Sequence, residues 1–267
     1  MMRRRDWLAG SLAASTFLGL TARSDAQSAV NAERGELYEL RRYQLRNGPQ
    51  PKRMDDYLRD ALVPALNRAG VKPVGVFHGL VGPENPAVYV LIPYSSLTGI
   101  EGAQYRVARD EEYQRRAADY MNASAAQPAY QRFETSLLQA FETVPRIQVP
   151  PATAEHKPRI FELRTYENPS EKANLTKLKM FNTAEISIFR RTGLRAVFFG
   201  NTIMGTRMPC LTYMLTFSSL AEREKNWAIF GSDPEWQKLR STPEYTDAEI
   251  INNISNIFLA PAPYSQI

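Results

Sequence analysis

Residues 38–43 read YELRRY, and residues 161–166 read FELRTY, 123 positions later in a chain of 267 residues. The same offset relates residues 37–114 to residues 160–237 without a gap, and 17 of the 78 paired positions are identical. Two copies are too few for a solenoid, in which three or more repeats stack on one another. The chain therefore contains one duplicated unit, and we expect a pseudo-symmetric pair of domains.

The hydrophobic periodicity changes in a consistent order within each copy. In the first copy, residues 37–45 alternate between apolar and polar, which predicts a strand, and residues 52–69 have helical spacing. This helix should end at Gly70, and Pro64 should kink it near Ala61. Three apolar runs, at 73–80, 87–94 and 133–142, predict further strands. A charged segment at 101–120 predicts a second helix.

The order strand, helix, strand, strand, helix, strand is that of the ferredoxin-like βαββαβ unit, an antiparallel sheet with both helices on one face. A single unit would leave the other face of its sheet open to water. Two units in one chain can cover both faces by packing as an intrachain pseudo-dimeric α/β barrel. The predicted class is thus α+β, with domains at 35–143 and 158–267 and a proline-rich linker at 144–157.

The first 26 residues have the composition of an export signal. Three arginines at positions 3–5 precede an uncharged run of about 14 residues, and a small-x-small cleavage site ends at Ala26. Arg4 and Arg5, followed by Asp6, Trp7 and Leu8, resemble the twin-arginine pattern, which implies a bacterial protein exported to the periplasm. An ordinary secretion signal and an uncleaved anchor are the alternatives. The apolar run is too short to span a bilayer, so no stable membrane span is expected after cleavage.

The composition excludes several functional classes. With 43% apolar and 23% charged residues the chain is an average globular protein. Its net charge of +5 would fall to +3 without residues 1–26, and no basic stripe indicates nucleic-acid binding. The single cysteine, Cys210, excludes an internal disulfide, and we expect it to be a buried, unreactive thiol. With only His78 and His156 besides, we expect no metal site and no cofactor.

Several further motifs recur between the copies or close the chain: YSSL at 94–97, FSSLAER at 217–223, DEEYQ at 110–114, DPEWQ at 233–237 and FLAPAPYS at 258–265. Together with the ELRRY and ELRTY strands, these motifs resemble the NIPSNAP family over almost all of residues 35–265. The resemblance implies a dimeric α/β barrel and further association through outer helical faces or free sheet edges. It implies no catalytic residue.

The first copy departs from the family pattern in two places. Residues 98–100 read TGI where the second copy has AER, and Tyr113 stands where the second copy has Trp236. The second copy is therefore the more typical one.

Strand alternation places a glutamate, an arginine and a tyrosine on one face of the first strand of each copy. These candidate ligand-binding residues are Glu39, Arg41 and Tyr43 in the first copy and Glu162, Arg164 and Tyr166 in the second. If the opposite face, which carries Tyr38 and Phe161, packs on the helices, both triplets point into the barrel. There they would either bind an anionic or carbonyl group through an arginine or lock the two sheets together as buried ion pairs.

His78 is the one chemically notable break in the symmetry, because it aligns with Asn201. At the mouth of a barrel it could act as a general base, or as an axial ligand like that of distant haem-binding relatives, or be a strand-end histidine held by hydrogen bonds. Convergence of His78 with Arg41 or Arg164 on one enclosed cavity would favour an enzyme. A packed barrel in which every Glu–Arg pair is satisfied would argue against one. His156 lies in the linker and is assigned no role.

Two functional classes remain open from the sequence. The absence of a nucleophile, metal or nucleotide motif and the symmetry of the copies favour a non-catalytic small-molecule-binding or assembly protein. Its expected partners are a small apolar or anionic ligand and, as a homo-oligomer, further copies of itself. The alternative is a metal-independent oxygenase-like or isomerase-like enzyme that uses the barrel cavity. The strands supply aromatic residues that could line such a cavity or form the core: Phe77, Tyr89, Tyr94, Phe198, Phe199, Tyr213 and Phe217.

Overall fold

The computed structural model of the protein describes residues 35–82 and 85–267, and the predicted export signal lies outside them. The first unit consists of β1 (Leu37–Gln44), α1 (Pro49–Tyr57), a π-helical segment (Leu58–Leu62), α2 (Val63–Arg68), β2 (Gly75–Gly79), β3 (Ala87–Tyr94), α3 (Leu97–Ala108), α4 (Glu111–Arg116), α5 (Ala118–Met121) and β4 (Arg132–Ala140). The linker contains α6 (Pro151–Ala154). The second unit consists of β5 (Ile160–Glu167), α7 (Glu171–Met180), a π-helical segment (Phe181–Glu185), α8 (Ile186–Arg191), β6 (Arg195–Met204), β7 (Cys210–Phe217), α9 (Leu220–Ser232), α10 (Pro234–Arg240), a 3₁₀ turn (Pro243–Tyr245), α11 (Asp247–Ile250) and β8 (Asn253–Pro261).

The eight strands form one closed antiparallel barrel in the order β1-β3-β2-β8-β5-β7-β6-β4. Each unit contributes a four-stranded sheet of the same order, and the sheets join where β2 pairs with β8 and β4 pairs with β6. The predicted α+β class and the pseudo-dimeric barrel are confirmed. Every described strand has two neighbours, so the expectation of association through free sheet edges is wrong, because closure of the barrel removes those edges.

The barrel interior is packed with side chains from both units. Tyr38 and Phe198 meet edge to face with ring centroids 5.3 Å apart, and Phe77 meets Phe161 in the same way at 4.8 Å. All four side chains are fully buried, and Leu, Val and Met side chains fill the space between them. Large apolar residues alternate inward on every strand, so the barrel centre is a core shared by the two units.

The repeated motifs cap helices and join them. In the second copy Ser219 accepts a hydrogen bond from the first turn of α9, as Ser96 does for α3. Asp233 caps α10 and forms an ion pair with Arg191 at 2.6 Å. In the same way Asp110 caps α4 and forms an ion pair with Arg68 at 2.6 Å. The most recognisable repeated residues are therefore structural in both units.

The long helix of each unit is interrupted at the same place. The π-helical segments, Leu58–Leu62 and Phe181–Glu185, are separated by the 123-residue offset. Pro64 follows the first of them, as predicted from the sequence, but the aligned residue of the second unit is Ser187. A proline is therefore not required for this irregularity. In the described part of the chain no helix combines the length and apolar character needed to cross a membrane.

Candidate functional site

The Glu–Arg–Tyr faces of β1 and β5 point toward the helices. Tyr43 belongs to the core beneath the helices of the first unit, and Tyr166 belongs to the corresponding core of the second. Tyr38 and Phe161 on the opposite faces fill the barrel. The expectation that the polar triplets point into the barrel is therefore wrong. The reason is that the large apolar face fills the barrel centre, whereas the polar face meets hydrogen-bonding groups of the neighbouring strands and, in the second unit, of α9.

In the first unit Arg41 and Glu39 form a bidentate pair. Arg41 donates from Nε to Oε1 of Glu39 at 2.7 Å and from Nη2 to Oε2 at 3.0 Å. The Tyr94 hydroxyl donates to the same carboxylate at 3.1 Å, and the Thr135 hydroxyl at 3.2 Å. The same guanidinium also interacts with the hydroxyl groups of Tyr43 and Tyr94.

A pocket of about 530 Å³ lies between this pair and the helices of the first unit. Tyr57 and Tyr113 stand on its wall with their hydroxyl oxygens 3.1 Å apart, and Arg41 is its single charged lining residue among those described. The other lining side chains are apolar or uncharged: Leu62, Leu66, Tyr94, Gln104, Val107, Ala108, Gln114, Ala118, Met121 and Asn122. Its size and its few polar groups are typical of a small-molecule site.

The same region of the second unit is filled by a hydrogen-bonded network around Glu162. This carboxylate is fully buried and accepts hydrogen bonds from Arg164 at 2.9 Å and from Arg223 at 2.8 and 3.0 Å. Trp227 Nε1 donates to it at 2.9 Å, and Asn256 Nδ2 at 3.1 Å. Burial alone would raise the pKa of Glu162, but the bonds from Arg223 and Trp227 and the charge of Arg164 lower it to about 2.

Two aligned positions account for the difference between the units. Arg223 and Trp227 on α9 occupy the positions of Ile100 and Gln104 on α3. The Trp227 ring covers Arg164, with the guanidinium carbon 4.6 Å from the ring centroid. In the first unit Gln104 stands at the position of Trp227, the Arg41 guanidinium carbon lies 5.9 Å from the centroid of the Phe133 ring, and the pocket lies beside Arg41.

A buried ion pair further distinguishes the second unit. Lys177 Nζ lies 2.9 Å from a carboxylate oxygen of Glu185, and both side chains are 2% exposed. The aligned residues of the first unit are Met54 and Leu62, and Leu62 lines the pocket. Burial raises the pKa of Glu185, although the charge of Lys177 opposes the increase.

His78 belongs to a different cluster. Its Nε2 lies 2.9 Å from Oδ1 of Asp55, which also accepts the hydroxyl of Tyr264 at 2.6 Å. These contacts tie β2 to α1 and to the segment after β8, so His78 neither lines the pocket nor meets Arg41. Cys210 is buried as predicted, with its sulfur 3.2 Å from the Thr202 hydroxyl.

The barrel itself offers little space. A pocket of about 100 Å³ at one end is lined mainly by threonines and by the Arg42–Glu134 ion pair. His78 and the two strand arginines do not converge on an enclosed cavity. Both Glu–Arg ion pairs form, and within the described residues Arg164 Nε is buried without a hydrogen-bond partner. All seven aromatic residues proposed for a cavity are buried, and two of them also line a pocket: Tyr89 the pocket at the barrel end and Tyr94 the pocket beside Arg41.

The NIPSNAP family model matches residues 38–139 and 161–266, one match in each unit. The chain belongs to the NIPSNAP family. No curated protein matches it significantly.

Solved structures support the barrel fold. A protein from Lactobacillus acidophilus, named as a candidate monooxygenase, is similar with a TM-score of 0.54 and 7% identity, over 85% of this chain and 94% of that one. An anthrone oxidase-like protein is similar with a TM-score of 0.51 and 9% identity, over 86% and 93%. A NIPSNAP family protein from Agrobacterium tumefaciens is 22% identical over 42% of this chain and 92% of its own, with a TM-score of 0.37. At these identities the first two comparisons show the fold alone.

Sequence reasoning found Arg41 and missed the pocket beside it. Tyr57 and Tyr113 come from helices whose inward faces read as ordinary core. The signal that could have found the pocket is the departure of the first copy at residues 98–100 and at Tyr113, where the NIPSNAP pattern of the second copy is lost. In the alignment of the two copies, this departure marks the first unit as the one that lacks counterparts of Arg223 and Trp227.

Proposed function

We propose that this NIPSNAP protein is an exported, non-catalytic binding protein that holds a small, largely apolar molecule in the pocket of the first unit. The observation that carries the proposal is the asymmetry of the duplication. The same fold position is filled in one unit by Arg223 and Trp227 and is open in the other. An open pocket with mostly apolar walls and a few polar groups, such as the hydrogen-bonded Arg41, is typical of a small-molecule binding site.

The pocket chemistry indicates what the ligand offers. Because Glu39 already neutralises Arg41, the pocket carries no uncompensated charge. A ligand with an apolar body and one acceptor oxygen, from a carbonyl or an acidic group, would use the guanidinium of Arg41 and the hydroxyls of Tyr57 and Tyr113. A highly charged ligand would lose hydration that these groups do not replace.

The enzyme alternative has less support. It required a barrel cavity, but the barrel centre is packed, and His78 is engaged with Asp55. The similarity to oxygenase-named proteins is a similarity of fold, and fold does not determine chemistry.

The binding proposal is tested by filling the pocket. Gln104→Trp places a tryptophan at the position that Trp227 occupies in the second unit, so the fold should accept it. The full chain, titrated with the uncharged fluorescent probe N-phenyl-1-naphthylamine, should show saturable binding that Gln104→Trp removes. The matched control is Tyr105→Trp, one residue along α3, where the side chain is 56% exposed and does not line the pocket.

Equal binding by wild type and Gln104→Trp would refute the proposed site. Native mass spectrometry of protein purified from the periplasm provides an independent readout, since a retained small molecule would identify the ligand directly.

The export proposal is checked by fractionating cells that produce the chain with Arg4 and Arg5 both changed to lysine. Twin-arginine export predicts that this variant remains in the cytoplasm, and its recovery from the periplasm would contradict that route.

A further inference from the structure

A second recess, independent of the Arg41 pocket, lies between the linker and the second unit. This linker groove has a volume of about 910 Å³ and is bounded by α6 and the start of β6 on one side and by the end of β7 on the other. The backbone N–H of Gln148, on the groove wall, donates to the backbone oxygen of Val197 in β6 at 2.8 Å. This bond holds the linker against the barrel. The groove is therefore a built feature of the fold.

The groove contains unbalanced positive charge. Its charged lining residues are three basic ones, Lys157, Arg159 and Arg195, and two acidic ones, Glu155 and Glu222, which gives a net charge of +1. Glu155 pairs with Lys157 at 2.8 Å, and Glu222 accepts the backbone N–H and the hydroxyl of Ser218 at 2.6 Å each. These bonds from Ser218 and the charge of Arg195 lower the pKa of Glu222. Arg159 and Arg195 also line the groove, and within residues 35–82 and 85–267 neither has a side-chain carboxylate within 4.0 Å.

The Arg159 side chain is positioned by backbone oxygens. Its Nη1 donates to the oxygen of Lys157 at 3.3 Å, and its Nη2 to the main-chain oxygen of Ile267 at 2.9 Å. Its guanidinium carbon lies 5.9 Å from the centroid of the Phe161 ring. These contacts orient Arg159, whereas Arg195 extends from the start of β6 into solvent.

The first unit has a smaller recess at the corresponding place. It is only about 210 Å³, and its charged lining residues are Glu36, Lys72 and Arg106, of which Glu36 and Lys72 align with Arg159 and Arg195. Glu36 accepts the backbone N–H of Ile147 at 2.9 Å. Between the units, an acidic residue is thus replaced by a basic one while the recess becomes larger.

The remaining walls of the linker groove are largely apolar: Val149, Pro150, Pro151, Ala152, Pro158, Ala196 and Phe217. We propose that the linker groove binds an amphipathic carboxylate of the fatty-acid type. The carboxylate would lie at Arg195, with Arg159 behind it, and the alkyl chain would lie along the proline-lined wall. A guanidinium suits a carboxylate because it donates two parallel hydrogen bonds, and the apolar walls favour an organic over an inorganic anion.

The test is isothermal titration of the full chain with decanoate, 1-decanol and inorganic phosphate, each below the concentration at which decanoate forms micelles. Decanoate should bind saturably and more tightly than either of the others. Arg195→Gln should weaken decanoate binding about tenfold, the effect of losing one charge-assisted contact, and Arg195→Lys should recover part of the loss. The matched control, Arg115→Gln, removes an exposed arginine of the first unit and should leave binding unchanged.

Four outcomes would overturn the proposal. Equal binding of 1-decanol would show that the arginines play no part, and equal binding of phosphate would show that the apolar walls play none. Unchanged decanoate binding in Arg195→Gln would place the ligand elsewhere. Gln104→Trp separates this site from the Arg41 pocket, because it should remove N-phenyl-1-naphthylamine binding and leave decanoate binding intact. If it removed decanoate binding instead, the groove proposal would fail while the pocket proposal would stand.

Discussion

Replacing Glu162 with glutamine should remove a pH-dependent part of the stability of this protein. The carboxylate is fully buried, and its hydrogen bonds and neighbouring charges lower its pKa from 4.5 to about 2. A carboxyl group with a lower pKa in the folded chain than in the unfolded chain stabilises the fold at any pH above its unfolded pKa. That stabilisation is lost as the pH falls through the folded pKa.

The size of the effect follows from the two pKa values. A pKa lowered from 4.5 to about 2 corresponds to a stabilisation on the order of 3 kcal/mol at pH 7. At pH 3 the carboxyl group of the unfolded chain is already mostly protonated, and less than half of this stabilisation, roughly 1 kcal/mol, remains. Glutamine resembles the protonated acid in shape and charge. The difference in unfolding free energy between wild type and Glu162→Gln should therefore shrink by roughly 2 kcal/mol between pH 7 and pH 3.

The assay is urea unfolding followed by tryptophan fluorescence at pH 7, 5 and 3. Glu142→Gln is the control, because Glu142 is exposed and its replacement should change the unfolding free energy by less than about 0.5 kcal/mol at each pH. A difference between wild type and Glu162→Gln that stays the same from pH 7 to pH 3 would refute the reasoning. It would mean that the contribution of Glu162 is one of shape and not of charge.

Two further predictions concern the buried groups of the second unit. Lys177→Met alone should destabilise the protein by about 3–5 kcal/mol in chemical unfolding, since it leaves Glu185 buried without its partner. The double variant with Glu185→Leu, which restores the residue types of the first unit, should recover most of that loss, and a double variant no more stable than the single one would contradict this. Burial raises the pKa of the Cys210 thiol, so Ellman's reagent should not label the native chain but should label one thiol per chain in denaturant, and rapid native labelling would contradict the buried position.

The barrel could be predicted because it depends on patterns that the duplication repeats. Alternation in residues 37–45, helical spacing up to Gly70 and the constant offset of 123 each constrain the topology, and the second copy checks the first. Which face of β1 points inward could not be derived in this way. Both faces carry large residues, and the choice depends on what the opposite sheet and the helices supply.

The location of the site was only half predictable, for a similar reason. Arg41 and Glu39 were recognisable as a pair because two residues on one strand face lie close together. The pocket beside them depends on what α3 and α4 do not supply, namely a side chain long enough to fill the space over Arg41. The smaller side chain of Gln104 becomes informative only when its filled counterpart, Trp227, is seen.

The two units therefore contribute differently to the protein: the second is the better packed one, and the first contains the open pocket. In the second unit the space over the strand arginine is filled by Arg223 and Trp227, and four side chains satisfy Glu162. Filling a cavity and satisfying a buried charge both stabilise a fold, whereas an open pocket gives up the packing that would fill it. Because the barrel closes only when both sheets pair, stability gained in the second unit supports the first through the β2–β8 and β4–β6 seams. A single unit would have to provide both the packing and the pocket, and duplication separates the two requirements.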